Sequence, residues 1–220
     1  MSLTPVLTDL QIAKNVQIRA FKATARARFN SHRRLLTVDR RLTWLVALTS
    51  SYLIILTIIP YVYKSPPCAS DTLNMITVSL SIIILVSSLI QYSSQYALTA
   101  EQHHRSALEI NELRRKIELS DPAKFDFNAL HEVTSQYNSV LHKYSINHDN
   151  IDNAMAMLER AHENPWLGDW WKLKTRLHAF VINWLPLIAL WASTAGMIYL
   201  SYIAVFKPSD LCLAVAASVH

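Results

Sequence analysis

The sequence predicts an all-α integral membrane protein: three transmembrane helices plus a cytoplasmic helical domain made partly of helix extensions of the spans. Residues 42–63, 72–100 and 177–206 contain no Lys, Arg, Asp or Glu. Each stretch exceeds the ~20 apolar residues that cross a bilayer core. A soluble helix of that length needs a charged face toward water. With two glycines and no runs of strand-like alternation, the chain lacks the many short strands of a membrane barrel.

The same charge pattern predicts five segments. The first apolar run begins at Leu42, behind a long basic segment, so it does not read as a cleavable signal sequence. The predicted segments are a cytoplasmic basic amphipathic helix (1–41), a transmembrane hairpin (42–97, with spans 42–63 and 73–97), a cytoplasmic helical domain (98–178), a third transmembrane helix (179–206) and an extracytoplasmic tail (207–220).

Basic residues predict the orientation. Nine Lys and Arg precede the first span and ten lie between the second and third spans, whereas Lys207 is the one basic residue after the third span. Basic residues near span ends stay in the cytoplasm. The sequence therefore predicts a multi-pass protein of the bacterial inner membrane, with a cytoplasmic N-terminus and the 64–71 loop and the tail outside.

Residues 9–41 predict an amphipathic helix that runs into the first span. Its predicted apolar face consists of Ile12, Val16, Ala20, Ala23 and Ala27. A basic stripe on another face is expected to contact an anionic partner, either lipid headgroups or a phosphate-rich molecule such as a nucleic acid. The stripe residues are Lys22, Arg26, Arg33 and Arg40.

Helix signals along the rest of the chain predict four further elements. One continuous helix is expected from Leu73 to Leu119, because no break signal comes before Ser120. Asp126 or Asn128 is expected to cap the next helix. After a break at 145–148, Asp149 or Asn150 caps another, and Asp169 caps the helix that continues through the third span.

Polar side chains on the second span share one face at helical spacing. Two alternatives stay open: hydrogen bonds between helices of a bundle, or the lining of a pore formed on oligomerisation. The residues are Thr77, Ser81, Ser88, Gln91 and Gln95.

Catalysis, a cofactor and a metal site are not expected. Two Glu-x-x-His pairs occur, Glu101 with His104 and Glu159 with His162, but a di-metal bundle needs a fourth carboxylate helix that the sequence does not supply. Two glycines cannot make a phosphate-binding loop. A membrane-anchored metalloenzyme is kept as an outside alternative.

The two cysteines are predicted to be free thiols. Cys68 and Cys212 both fall on the outer side, where disulfides persist, but nothing in the sequence brings their Cα atoms within the roughly 7 Å needed for bridging.

The stretch Tyr144-Ser-Ile-Asn147-His148-Asp-Asn-Ile-Asp152 follows a membrane hairpin and separates two cytoplasmic helices. This order resembles the SLATT family of two-span effectors, which associate with SMODS nucleotidyltransferases and SLOG sensors and carry an Asn-His followed by Asp. Here the motif residues are Asn147, His148 and Asp152, with a structural or regulatory role. The third span is similar to the branch found beside reverse transcriptases in retron anti-phage systems.

The resemblance implies a membrane-perturbing, pore-forming type of effector of bacterial abortive infection, held inactive until a sensor releases it. It also implies partners: membrane lipids, further copies of the chain, and a reverse transcriptase with its DNA or a nucleotidyltransferase or SLOG sensor. The alternative function is a structural or channel-subunit membrane protein without a role in defence.

Overall fold

The computed structural model describes residues 4–62, 66–121, 125–146, 149–159 and 168–209, and these contain helices and connecting segments but no strand. The helices are α1 (Thr4–Val62), α2 (Pro67–Ser94), α3 (Tyr96–Glu118), α4 (Phe127–Tyr144), α5 (Asn150–Glu159) and α6 (Asp169–Phe206). Three of their stretches are long and apolar enough to cross a membrane: Asp9–Val62, Pro67–Glu118 and Leu187–Phe206. The predicted all-α membrane fold is confirmed.

The chain forms two compact units. The polar unit comprises the described residues of Met1–Thr37 and Tyr96–Phe180, and the membrane unit comprises those of Val38–Gln95 and Val181–His220. The membrane unit contains most of the charge-free sequence. Two helices, α1 and α6, contribute to both units.

The core of the polar unit lies where α1 packs against α3 and α4. Phe21 stacks on Tyr137 with ring centroids 4.5 Å apart, and the hydroxyls of Thr24 and Tyr137 are hydrogen-bonded at 3.0 Å. The buried apolar residues are Phe21, Ala25, Ile110, Ile117, Val133 and Val140.

The predicted apolar face of α1 is wrong at its N-terminal end. Ile12 and Val16 are 57% and 58% exposed, whereas Phe21 and Ala25 are buried. The error has a physical cause: alanines occur all around this helix, so hydrophobicity alone does not mark one face. The face that is buried is the one that α3 and α4 cover.

The helix caps of α4 and the pairing of α3 with α4 are well defined. Asp126 caps α4, since its Oδ1 accepts a hydrogen bond from the backbone N–H of Ala129 at 2.8 Å. Glu109 on α3 accepts from Lys143 Nζ and from the Tyr144 hydroxyl, each at 2.6 Å. These hydrogen bonds hold the pKa of Glu109 below its ordinary value, and the one from Lys143 has the larger effect.

In the membrane unit, α6 packs with the hairpin formed by α1 and α2. The hydroxyl of Tyr52 on α1 is hydrogen-bonded to that of Ser201 on α6. The buried apolar core consists of Leu56, Leu73, Ile76, Leu80 and Ala204. All three membrane-length helices therefore share this core.

The second predicted helix is not continuous. Gln95 has φ 44° and ψ 41°, and this left-handed residue separates α2 from α3. Helices commonly end at a left-handed residue, but that residue is usually Gly or Asn. The segment Ser93-Ser94-Gln95 therefore gives no sequence indication of a helix end. The helix also begins earlier than expected, with Pro67 at its first position, where the missing N–H of proline does no harm.

The prediction of two free thiols is wrong, because Cys68 is disulfide-bonded. Cys212, the other cysteine of the sequence, lies outside the described residues. Cys68 belongs to the first turn of α2, next to Pro67. Sequence spacing carries no information on which chain segments approach this turn, and that approach decides whether a thiol can be bridged.

Candidate functional site

Asp152 is held in place by the first turn of α5. The backbone N–H of Asp152 donates to the carbonyl of Asp149 at 3.0 Å, and its carboxylate Oδ2 accepts from the backbone N–H of Asp149 at 3.3 Å. This is the return half of a capping box, in which the third helical residue satisfies the capping residue. Asp149 is thus the cap position of α5, one of the two residues predicted for it.

The carboxylate of Asp152 is buried and fully engaged by α1. Arg34 donates from Nε to Oδ1 and from Nη2 to Oδ2, both at 2.9 Å, and Ser31 Oγ donates to Oδ2 at 2.7 Å. Asp152 is 2% exposed. The bidentate arginine and the hydroxyl give both oxygens of this buried carboxylate hydrogen-bond partners, which offsets the cost of its burial. We call Ser31, Arg34 and Asp152 the α1–α5 junction.

The surroundings favour a charged Arg34. Burial is the largest influence and lowers the pKa of Arg34, but hydrogen bonds and charge from Asp152 and Asp149 outweigh it, so the pKa is raised. Arg34 Nη2 also contacts Asp149 Oδ2 at 2.5 Å. At the other end of α5, the exposed Arg33 pairs with Glu159 at 3.0 Å. Both ends of α5 are thereby tied to α1.

Arg28 lies one turn before Ser31 and is almost fully buried, with 3% exposure. Its Nη2 donates to the carbonyl of Ile146 at 3.4 Å, whereas Nε and Nη1 have no partner among the described residues. Burial lowers the pKa of Arg28. The polar side chains Arg28, Ser31 and Arg34 therefore line the side of α1 that faces α4 and α5.

Sequence reasoning missed this line of residues. Arg28, Ser31 and Arg34 recur every three positions, which places them along one side of a helix. This three-residue spacing is visible in the sequence. With nine basic residues in the same segment, however, the spacing does not indicate which of them are buried.

The predicted motif and stripe residues separate in the structure. Of the family motif, Asp152 forms the junction, while Asn147 and His148 lie outside the described residues. Of the basic stripe, Arg26 and Arg33 line a cavity in the polar unit, Lys22 is half-buried elsewhere on α1, and Arg40 is exposed in the membrane unit.

The polar stripe of the second span also divides. Gln91 Nε2 donates to Asp39 Oδ1 at 3.1 Å and to Thr43 Oγ1 at 2.7 Å, so Gln91 joins α2 to α1 as the packing alternative expects. The hydroxyls of Thr77 and Ser81 donate to backbone carbonyls of their own helix. Ser88 is half-buried on α2, and Gln95 is the left-handed residue after it.

The residues considered for metal binding have other contacts. Glu101 accepts a hydrogen bond from Arg105 at 2.7 Å, and the ring of His104 lies against that of His32. Within the described part of the chain, no three His, Cys, Asp or Glu side chains are grouped closely enough to hold a metal ion. His162 lies outside that part.

The fold and the junction define a class: all-α membrane proteins in which one long helix belongs to the membrane hairpin and also packs, through buried polar contacts, within a polar helical unit. Within that class, the chain belongs to the SMODS and SLOG-associating two-transmembrane effector domain family 5, whose model matches residues 13–200. No curated protein and no solved structure matches the chain. The match includes all three junction residues and extends into the third membrane-length helix, as far as residue 200. It makes the protein a membrane effector.

Proposed function

We propose that the protein is a membrane-perturbing, pore-forming effector of a bacterial anti-phage abortive-infection system, held inactive until a sensor releases it. It acts in the inner membrane, with its N-terminus in the cytoplasm, and without catalysis. Its partners are membrane lipids, further copies of the chain, and a sensor: a reverse transcriptase with its DNA, of the retron type, or a nucleotidyltransferase or SLOG system. Membership of a membrane effector family supports this proposal.

The observation that carries the proposal is the buried α1–α5 junction on a helix that continues into the membrane unit. α1 bears Ser31 and Arg34 and extends without a break to Val62. A buried ion pair contributes little net stability compared with apolar packing, but separating its partners is costly. Such a contact suits a device with two discrete states, in which release of α5 frees one side of α1.

The perturbing step is assigned to the polar stripe of α2 in an oligomer. Thr77 and Ser81 already satisfy their hydroxyls within the helix, and Ser81 is exposed in the single chain. Exposed hydroxyls on a membrane helix are better accommodated against other helices or water than against lipid. Several copies that turn this face inward would enclose a polar path.

A matched pair of variants tests the stripe. Ser81→Leu/Ser88→Leu removes two hydroxyls from the stripe, and Ser79→Leu/Ser93→Leu makes the same changes on other faces of α2. Growth and membrane potential of expressing bacteria, and dye release from liposomes, are measured for both. We expect the stripe variant to lose toxicity and leakage while it still inserts and oligomerises, and the control to keep them.

Undiminished leakage from an inserted stripe variant would exclude a pore lined by this face. A wild-type chain that neither slows growth nor releases dye under any condition of expression would instead favour the structural or channel-subunit alternative.

A further inference from the structure

A cavity of about 420 Å³ lies in the polar unit beside the α1–α5 junction, within the size range of small-molecule sites. Residues of α1 and α3 supply most of its lining, and the last residue of α5, Glu159, completes the described part. The α1 and α3 residues are Arg26, Phe29, Asn30, His32, Arg33 and His104. None of the functional assignments above uses this cavity.

The lining has a positive balance. Arg26 and Arg33 contribute two positive charges to the lining, and Glu159 contributes one negative charge. Arg33 is occupied by Glu159 at 3.0 Å. Arg26 has no hydrogen bond or ion pair with any described residue. A guanidinium fork is therefore available at the cavity wall.

Asn30 adds an unpaired donor. It is 8% exposed, its Oδ1 accepts from Arg33 Nη2, and its Nδ2 has no hydrogen-bond partner among the described residues. A buried amide N–H without a partner is costly, and a bound acceptor would remove that cost. Because Asn30 also positions Arg33, it links the unpaired donor to the charged group beside it.

Planar rings form another wall. The ring of His104 lies 5.8 Å from that of Phe29 and 4.7 Å from that of His32. His32 Nδ1 lies 3.0 Å from the carbonyl of Ala100 and must donate to it, since a carbonyl accepts. This bond orients the His32 ring, so the wall is preformed.

We propose that this cavity binds the phosphate ester of a small molecule that carries a planar ring. The phosphate lies between Arg26, Arg33 and Asn30 Nδ2, and the ring packs on Phe29 and His104. Phosphate matches the site because it has several oxygens, which can accept hydrogen bonds from the N–H groups of the two arginines and of the amide. Binding displaces Glu159 from Arg33 and so releases the C-terminal end of α5. The binding step does not depend on membrane perturbation.

The test is calorimetric titration of the full chain in maltoside micelles with adenosine 5′-monophosphate, inorganic phosphate and adenosine. We expect the monophosphate to bind, phosphate to bind more weakly, and adenosine not to bind measurably. Arg26→Gln is expected to weaken binding of the monophosphate by about tenfold or more, which corresponds to the loss of one hydrogen bond to a charged group. Lys22→Gln, one turn away and outside the cavity, is the matched control and leaves affinity unchanged.

Glu159→Gln should change the affinity for the monophosphate in the opposite direction. It removes the competing carboxylate and should tighten binding by about two- to fivefold. Unfolding curves of all variants establish that each is folded. Competition by phosphatidylglycerol vesicles would identify a lipid headgroup as the phosphate source, and its absence a soluble one. Equal affinities for wild type and Arg26→Gln, or no binding of either phosphate probe to the folded wild type, would overturn the proposal.

Discussion

At the scale of single residues, the buried pairing of Arg34 with Asp152 is the most consequential feature. The two residues are 118 positions apart, and their side chains are 17% and 3% exposed. Neither a basic residue within a basic segment nor an acidic residue near a helix start is unusual by itself. Their importance comes from burial, which makes each charge depend on the other.

Arg34→Ala should destabilise the polar unit by about 3–5 kcal/mol, because the buried Asp152 carboxylate then loses its counter-ion. Loss of helical circular dichroism on heating or in denaturant, with the full chain in micelles, measures this. Arg33→Ala is the matched control, and breaking the exposed Arg33–Glu159 pair should cost less than about 1 kcal/mol.

A double variant separates the charge effect from packing. Arg34→Met/Asp152→Leu removes both charges, so it should recover most of the stability that Arg34→Ala loses. If Arg34→Ala is no more destabilising than Arg33→Ala, the junction does not hold α5 as described.

At the scale of elements, hydrogen bonds across helix pairs determine how α3 and α4 meet. Glu109 on α3 accepts hydrogen bonds from Lys143 and Tyr144 on α4, so a single carboxylate joins the two helices at this point. The left-handed Gln95 before α3 and Ser145 after α4 set where this pair begins and ends. Non-glycine residues in that conformation cost about 1–2 kcal/mol, so packing must hold them there.

The lowered pKa of Glu109 makes the α3–α4 pairing sensitive to acid. A carboxylate whose pKa is lower in the folded chain than its ordinary value of 4.5 stabilises the fold fully above about that pH. The contribution is lost as the pH falls through the folded-state pKa. We expect Glu109→Gln to be less stable than wild type at pH 7, by about 1 kcal/mol or less after solvent screening, and the difference to vanish in strong acid.

Unfolding of both chains at a series of pH values checks this expectation. Tyr144→Phe, which removes one of the two hydrogen bonds and keeps Lys143, should show a smaller difference over the same pH range. A constant gap between wild type and Glu109→Gln down to strong acid would mean that Glu109 acts through packing and not through charge.

At the scale of the whole molecule, the disulfide at Cys68 bears on orientation. Disulfides persist in oxidising compartments and are rare in the cytosol. The basic-residue count independently predicts that the same end of α2 lies outside. We therefore expect the Cys68 end of the hairpin to face the periplasm, with the polar unit in the cytoplasm.

Labelling of intact cells with a membrane-impermeant maleimide tests this orientation. Cys68 should react after treatment with an impermeant reductant and not before, and Cys68→Ser should abolish the change in gel mobility between reduced and non-reduced chain. A cysteine introduced at the exposed His131 should react once the membrane is opened. Reaction of His131→Cys in intact cells would overturn the proposed topology.

The sequence by itself determined the class of fold, because an uncharged stretch longer than the bilayer is a property of the chain alone. It likewise placed the cap of α4 at Asp126 or Asn128 and pointed to Asp152 through the family motif. Only the tertiary structure decided the buried face of α1, the break at Gln95, the bond at Cys68 and the partnership of Asp152 with Arg34. Each of these depends on which distant segment covers a residue, and burial, not residue type, turns an ordinary arginine or carboxylate into a site.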